Sequence, residues 1–239
     1  FVNINCRIGH CENPSCKAEV PLLRQFFISN PRSSGANLSK KIYLNPIIED
    51  KKISFELKKG VPKSEGWIKR GNLICPICEN VTDIKQIKNQ FLNKKIKEKT
   101  IVKIFENKTG YLFETGNFEE VTSEINDVPQ ELLQPNSAGG DILSWGYSKW
   151  GELFSSNQLC TLKSLEYNLN SLKSELNLGE DYNNAIVCYL AILINKVALR
   201  GTSFGKWHIL QSTVEHLFGR QAIQMNFDYP EIKIGRAHV

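Results

Sequence analysis

CENPSC at residues 11–16 and CPIC at residues 75–78 decide the fold predicted for this chain. The two stretches contain two short-spaced cysteine pairs, which can place four thiolates around one tetrahedral Zn²⁺ in a closed structural site. The 58 residues between the pairs fit a β-rich insertion, and a bound metal would hold the two ends of that insertion together. The sequence therefore predicts a structural zinc site made by four ligands, Cys11, Cys16, Cys75 and Cys78.

Other interpretations of these cysteines stay open. A C-x-x-C pair also suits a thiol redox motif, but such a motif needs no second pair, and the four-residue spacing of the first pair does not suit it. Buried or free thiols are a further alternative, and either Cys6 or His10 could replace Cys11 as a ligand. Cys160 and Cys188 lie in apolar helical stretches, so we expect both to be small core residues.

The composition bounds the class of protein. The chain has 239 residues, of which 41% are hydrophobic, enough for one large or two smaller domains. Seven cysteines, an odd number in mostly metal-like spacing, argue against a secreted disulfide framework and favour a reducing cytoplasm. The longest apolar run, AIVCYLAILI at residues 185–194, is too short to span a bilayer and indicates a buried helix. We therefore expect a cytoplasmic protein with no membrane partner.

The first half of the chain is rich in β-prone segments. KKIYLNPII and KKISFELKKG predict a hairpin that turns at Glu49 and Asp50, and a second hairpin is expected to turn at residues 107–110. Between them, Ile84, Ile87 and Phe91 follow helical spacing in a segment rich in lysine, which predicts a basic helix. Residues 126–140 are rich in Pro, Asn and Gly and are the best candidate for a linker.

The second half is predicted to be helical. One helix is indicated by five leucines at spacings of three and four, Leu162, Leu165, Leu169, Leu172 and Leu176. Residues 182–199 predict a second helix that is apolar nearly all round and therefore deeply buried. Ser212 or Thr213 can cap a third helix that runs to about Met225. The predicted fold class is α+β, a zinc-ribbon-like β part followed by a helical part.

Four segments follow from these patterns. We expect a zinc ribbon with a β-rich insertion at residues 1–85, a basic helix, hairpin and linker at 86–140, a helical region at 141–232, and a tail at 233–239. The last six residues, IGRAHV, match the translation of a common sequencing adapter, and the chain begins with Phe1 rather than Met. We therefore expect the tail to be adapter-derived and the chain to be an internal fragment of a longer protein.

Three ordered stretches resemble adenine-specific DNA methylases that carry a zinc ribbon. They are CENPSCKAEVPLLRQFF with ICPICEN, then WGYSKWGELFSSNQL at residues 145–159, and STVEHLFGRQAIQMNFDYPEI at residues 212–232. Three positions depart from the family pattern. Asn157 stands where the family usually has Arg, Phe227 replaces a usual Trp, and Glu152 replaces Asp.

The resemblance implies transfer of a methyl group from S-adenosylmethionine to adenine N6 in DNA, on a base flipped out of the duplex. It also implies that this chain is an insert region of a larger α/β methyltransferase. The family's Asn/Asp-Pro-Pro-Tyr/Phe loop and glycine-rich cofactor turn are not in this sequence, which contains no Pro-Pro pair. We therefore expect no catalytic or cofactor-binding residue here, and an inactive fragment.

The expected partners are DNA and other proteins of a prokaryotic defence system. A net charge of +5 permits an acidic partner, although lysine is abundant throughout the chain. Four cations are candidates for DNA contact, since guanidinium and ammonium groups bind phosphates and guanine edges: Arg24, Lys69, Arg70 and Arg220. Surface ion pairing is the alternative role for each. The competing functional hypothesis is a non-enzymatic zinc-ribbon adaptor that binds nucleic acid or protein.

Overall fold

A computed structural model describes residues 1–32, 38–108, 110–116, 118, 125, 128–135, 142–219 and 222–232. Within these residues the chain is a mixture of antiparallel sheets and three α-helices, which confirms the α+β class. The predicted tail at 233–239 and part of the predicted linker at 126–140 lie outside the described residues.

The strands and helices follow one another in a β-rich first half and a largely helical second half. The strands are β1 (Val2–His10), β2 (Glu19–Pro21), β3 (Phe27–Ser29), β4 (Ile42–Glu49), β5 (Lys52–Lys59), β6 (Ile68–Lys69), β7 (Asn72–Ile74), β8 (Val81–Thr82), β9 (Lys97–Asn107), β10 (Gly110–Glu114), β11 (Lys206–His208), β12 (Thr213–Glu215) and β13 (Asp228–Ile232). The helices are α1 (Ile84–Leu92), α2 (Ser156–Glu175) and α3 (Glu180–Arg200).

β1 is the central strand of the largest sheet, whose order is β10-β9-β1-β13 with β2 also paired to β1. Every pairing in this sheet is antiparallel, and Cys6 lies opposite Lys99 on one side and Asp228 on the other. The strand alternates polar and apolar residues, yet its residues 3–9 are all buried because both faces of the sheet are covered. The sheet therefore joins the beginning, the middle and the end of the chain.

The smaller sheets include the first predicted hairpin, which the structure confirms except that its turn lies one residue later than the predicted Glu49 and Asp50. β4 and β5 pair from Ile42 opposite Lys59 to Glu49 opposite Lys52. The two residues of the turn, Asp50 and Lys51, have φ values of 45° and 66°, as a two-residue turn of type I′ requires. β9 and β10 form the second predicted hairpin. β3 pairs with β4, β6-β7-β8 form a three-stranded sheet, and β11 pairs with β12.

α1 is the predicted basic helix, and its start is set by a capping box. The Asp83 side chain accepts from the backbone N–H of Gln86, while the Gln86 side chain accepts from the backbone N–H of Asp83. Ile87 and Phe91 are buried on the inner face of the helix. The Phe91 ring lies 5.2 Å from Trp145 and 6.3 Å from Phe227, so this face packs on the C-terminal half of the chain.

α2 and α3 form a helical hairpin at the predicted positions, but α3 is not buried as predicted. None of the 21 residues of α3 is buried, because the helix packs along α2 and leaves its other side exposed. Cys188 on α3 is exposed and Cys160 on α2 is only half-buried, so neither is the core residue expected. Apolar composition indicated burial, but no other part of the described chain covers this side.

α3 also has the length and composition of a membrane-spanning helix, alone among the helices in the described residues. An 18-residue window in Glu180–Arg200 has a mean hydropathy of 1.3, and none of that window is buried. Core helices of soluble proteins pass the same test, so length and composition alone do not assign the helix to a membrane.

The third predicted helix is wrong within the described part of residues 212–225. Thr213–Glu215 is strand β12, which pairs with β11, and no helix follows it in the residues that the structure describes. Ser212 does not cap a helix: its backbone has φ of 51°, and its N–H donates to His208 O at 2.8 Å. Pairing with β11 therefore outweighed the local capping signal.

Candidate metal centre

The four predicted cysteines come together in one cluster. Cys11 follows β1 directly and Cys75 follows β7, while Cys16 and Cys78 lie on tight turns after them. All four Sγ atoms lie within 4.8 Å of one another. The Cys11 and Cys78 sulfurs are 3.6 Å apart, and the Cys16 and Cys75 sulfurs are 3.9 Å apart. Each of these two short distances therefore joins a cysteine of the first pair to a cysteine of the second pair.

These distances fit four thiolates around one ion. A Zn–S bond of about 2.3 Å in a tetrahedral site separates two sulfurs by roughly 3.8 Å. A disulfide would need about 2.05 Å. Four sulfur ligands in tetrahedral geometry are typical of zinc or of iron in sulfur sites. Four cysteines so close together can bind a metal such as zinc.

The first loop is shaped by the asparagine between its cysteines. The backbone N–H groups of Cys16 and Lys17 both donate to Asn13 O at 3.0 Å, and the N–H of Ser15 donates to Asn13 Oδ1. The Asn13 amide also lies 3.6 Å from Cys78 Sγ, to which it can donate. The residues of CENPSC thus build the turn and contact a sulfur of the other pair.

The second loop is also held by backbone hydrogen bonds, with fewer residues between its two cysteines. The Cys75 N–H donates to Asn80 O at 3.0 Å, and the Glu79 N–H donates to Cys75 O at 2.9 Å. Glu79 has φ of 58° and Lys17, in the first loop, has φ of 50°. In both loops, the residue after the second cysteine therefore has a left-handed backbone conformation, which turns the chain away from the sulfurs.

The β4–β5 hairpin supports the first loop from outside. Lys51 lies in the turn of this hairpin, and its Nζ donates to Ser15 O at 3.1 Å and to Cys16 O at 3.2 Å. The insertion between the cysteine pairs therefore contacts the loop that carries Cys16. Sequence spacing predicted the hairpin, but it contained no sign of this long-range contact.

Burial and hydrogen bonding shift the pKa values of the Cys11, Cys75 and Cys78 thiols. Burial raises the pKa of the Cys11 thiol to about 12 and also raises the pKa of Cys75. A hydrogen bond from the Asn80 backbone lowers the pKa of Cys78 to about 7, because it stabilises the thiolate. A metal ion that binds thiolates must displace the protons of the buried thiols.

Neither rival ligand joins the cluster in the described residues. Cys6 is fully buried within β1, and its Sγ lies 3.4 Å from Arg7 O. His10 is half-buried, and its Nε2 lies 3.7 Å from Glu19 Oε1. The four-sulfur group consists of the cysteines from the two pairs alone.

The candidate DNA-binding cations have different surroundings. Arg24 is exposed, but its guanidinium lies 5.3 Å from the centre of the Phe227 ring and donates to Met225 O at 3.4 Å. Lys69 and Arg70 are exposed at the turn between β6 and β7. The N–H of Ile68 donates to Leu23 O, which places this turn beside the segment of Arg24. Arg220 lies outside the described residues.

Arg7 is a buried cation that sequence analysis missed. Its guanidinium donates to Ser203 O at 3.0 Å and to Asn226 O at 2.6 Å, and its Nε lies 3.3 Å from Glu98 Oε1. The central carbon of the guanidinium also lies 4.9 Å from the centre of the Phe204 ring and 5.0 Å from the centre of the Tyr229 ring. The polar positions that alternate along β1 were the only signal, and they are typical of a solvated face rather than a buried one.

The carboxylate of Glu231, which is 1% exposed, is a second buried group whose surroundings the sequence did not predict. It accepts hydrogen bonds from Ser155 Oγ at 2.6 Å and from the amides of Asn5 and Asn157, each at 3.4 Å. These contacts attach the start of α2 to β1 and β13. Asn157, which differs from the methylases that the sequence resembles, therefore has a defined partner here.

Comparison with known proteins gives no further identification. No family model matches the chain, and neither a curated protein nor a solved structure matches it significantly. The four-cysteine cluster is therefore the feature of the described residues from which a functional interpretation must start.

Proposed function

We propose that the chain is a zinc-binding module whose metal is structural. The observation that carries this proposal is the group of four sulfurs within 4.8 Å of one another. Four thiolate ligands leave no open position for water or substrate, as is usual for structural rather than catalytic zinc. The ion would hold Cys11, at the end of the central strand β1, to the two cysteines that flank the turn after β7.

We propose further that this module belongs to an S-adenosylmethionine-dependent DNA adenine-N6 methyltransferase. The support is the resemblance of three ordered stretches, together with contacts between them. Trp145 lies 5.5 Å from Phe227, and Ser155 donates to Glu231, so the second and third stretches pack on each other. In this proposal Arg24, Lys69 and Arg70 contact DNA phosphates, while the methyl-transfer chemistry belongs to residues outside this chain.

A non-enzymatic zinc-ribbon adaptor is the second candidate. It is favoured by the sequence itself, which has neither a Pro-Pro pair nor a glycine-rich strand-to-helix turn. An adaptor needs neither motif. Both candidates share the structural metal, so they differ only in what the intact gene encodes and does.

Metal content tests the shared part of both candidates. Elemental mass spectrometry should find one zinc ion per molecule of the purified chain. The Cys75→Ser variant should lose this zinc because one of its four ligands is removed. Cys188→Ser is the matched control, since Cys188 is exposed and distant in sequence from the cluster. Zinc retained at full occupancy by Cys75→Ser, or absent from the unmodified chain, would contradict a four-cysteine site.

Sequencing the intact locus through both ends of this reading frame separates the two candidates. An Asn/Asp-Pro-Pro-Tyr/Phe codon run and a glycine-rich turn, with N6-methyladenine in the DNA of cells that express the gene, would support the methyltransferase. An intact gene that lacks both motifs and leaves DNA unmethylated would favour the adaptor.

A further inference from the structure

The outer side of α3 carries an exposed stripe that is separate from its contact with α2. The stripe consists of Tyr182, Ala185, Tyr189, Leu193 and Lys196. At 3.6 residues per turn these positions fall within about 40° of Tyr189 around the helix axis. The two tyrosines are 72% and 73% exposed and Leu193 is 54% exposed, which is unusual for large apolar side chains on one surface.

The stripe is symmetric along the helix. Ala185 and Leu193 lie four residues before and after Tyr189, and Tyr182 and Lys196 lie seven residues before and after it. In an antiparallel pair centred on Tyr189, Ala185 therefore lies opposite Leu193 of the other copy, and Tyr182 lies opposite Lys196. A two-fold interface brings the same surface patch of both copies together in this way.

The charges at the two ends of α3 are complementary in the same arrangement. Near the stripe, the first turn contains Asp181, and the last turns contain Lys196 and Arg200. Two antiparallel copies would place each acidic end beside the basic end of the other, and would also oppose their helix dipoles. A parallel pair would instead place like charges together. The charge pattern therefore favours an antiparallel copy of the same helix.

The exposed area is enough for a modest dimer. A tyrosine side chain buries about 150–250 Å² when fully covered, so the two tyrosines offer roughly 300 Å² per copy. Leu193 in the stripe and Ile192 at its edge, each about half exposed, add to this area. Two copies together therefore approach the roughly 1,000 Å² at which specific interfaces begin.

A lipid bilayer fits this hairpin less well than a second copy does. α3 packs along α2, whose sequence includes Lys163, Glu166, Lys173 and Glu175. Insertion of α3 would either take these charged residues into hydrocarbon or separate α3 from its partner helix, and both are costly.

We propose that the outer stripe of α3 is a two-fold dimer interface, in which α3 packs antiparallel against α3 of a second copy of this chain. Tyr189 lies at the centre of the interface. This proposal does not depend on the zinc site or on methyltransferase activity, because none of its residues contributes to either.

Sedimentation equilibrium of the full 239-residue chain tests the proposal. The apparent mass should rise from 27.2 kDa toward twice that value between roughly 1 and 100 µM, as expected for an interface near the lower size limit. Tyr189→Glu should keep the mass at one chain. Tyr167→Glu is the matched control, since Tyr167 lies on α2 and is 72% exposed, and it should dimerise normally.

Charge reversal tests the antiparallel orientation. Lys196→Glu with Arg200→Glu should weaken dimerisation at least tenfold, and adding Asp181→Lys should restore much of the lost affinity. A flexible bis-maleimide should also join two copies through Cys188, which is exposed beside the centre, and Cys188→Ser should abolish this product. A chain that stays monomeric at 100 µM, or that binds phosphatidylcholine vesicles instead of itself, would overturn the proposal.

Discussion

At the scale of single residues, Arg7 is a buried cation whose removal should be costly. It is fully buried on β1 and bonds to Ser203 O and Asn226 O near the far end of the chain. Removing a buried cation leaves those carbonyls and Glu98 without their partner, which is much more costly than losing a surface ion pair.

Arg7→Met should therefore lower the free energy of unfolding by about 3 kcal/mol, because methionine fills the space without donating hydrogen bonds. Urea denaturation of the zinc-loaded protein measures this change. Arg70→Met is the control, since Arg70 is exposed in the β6–β7 turn and should change stability by less than about 0.5 kcal/mol. Equal effects of the two substitutions would show that the buried contacts of Arg7 contribute little.

The affinity of the cluster for zinc should fall as the pH falls. The raised pKa values of Cys11 and Cys75 mean that both are thiols near neutral pH, so zinc binding releases their protons. Each released proton contributes a factor of about ten per pH unit, so two protons change the affinity roughly a hundredfold per pH unit. Competition with a calibrated chromophoric chelator between pH 6 and pH 8 measures the slope, and an affinity that does not vary with pH would contradict thiolate ligation.

The same shifts predict the pH dependence of folding without metal. The pKa of Cys11 is raised from 9.0 to about 12 in the folded chain, so its contribution to stability is present below pH 9 and is lost as the pH rises to about 12. The pKa of Cys78 is lowered to about 7, so its contribution is present above pH 9 and is lost as the pH falls through 7.

At the scale of elements, the β4–β5 hairpin should control how fast zinc leaves. Lys51 donates two hydrogen bonds to the first cysteine loop, so Lys51→Met should free that loop to open. We expect removal of zinc by excess chelator to become several times faster. Lys52→Met is the control, because Lys52 is exposed and neighbours Lys51. If both variants lose zinc at the same rate, the hairpin does not restrain the loop.

Local patterns predicted the elements whose interactions are local. The two hairpins, the basic helix, and α2 and α3 all followed from spacing and turn residues, because their hydrogen bonds join neighbours in the sequence. The segment after Ser212 was predicted as a helix and forms β12 instead, since its pairing with β11 is not visible in a capping signal. α3 was predicted to be buried, and its exposure depends on what the rest of the chain leaves uncovered.

At the scale of the whole molecule, the central sheet makes the first 85 residues dependent on the rest. β1 has β9 and β13 as its two neighbours along most of its length, and both lie outside residues 1–85. Cutting the chain at residue 85 would remove both of these neighbours and expose residues of β1 that are buried in the intact chain. The division of the chain into four segments stays a prediction.

A truncated chain of residues 1–85 should therefore fail to unfold cooperatively, even with zinc bound. A chain of residues 1–232 should show one sharp thermal transition, because it retains all strands of the central sheet. Circular dichroism with limited proteolysis compares the two, at equal zinc occupancy. A protease-resistant, cooperatively folded 1–85 would show instead that the metal suffices to organise this segment.

The sequence by itself predicted the four-cysteine cluster from two pairs at short spacing, and the structure brings those four sulfurs together without Cys6 or His10. It also determined the hairpins and the two long helices, whose period and turns are local. Only the tertiary structure decided that β1 is central, that Arg7 and Glu231 are buried, and that α3 has an open face. These features depend on pairing between residues about 100 and 220 positions apart, and local spacing contains no information about such distant partners.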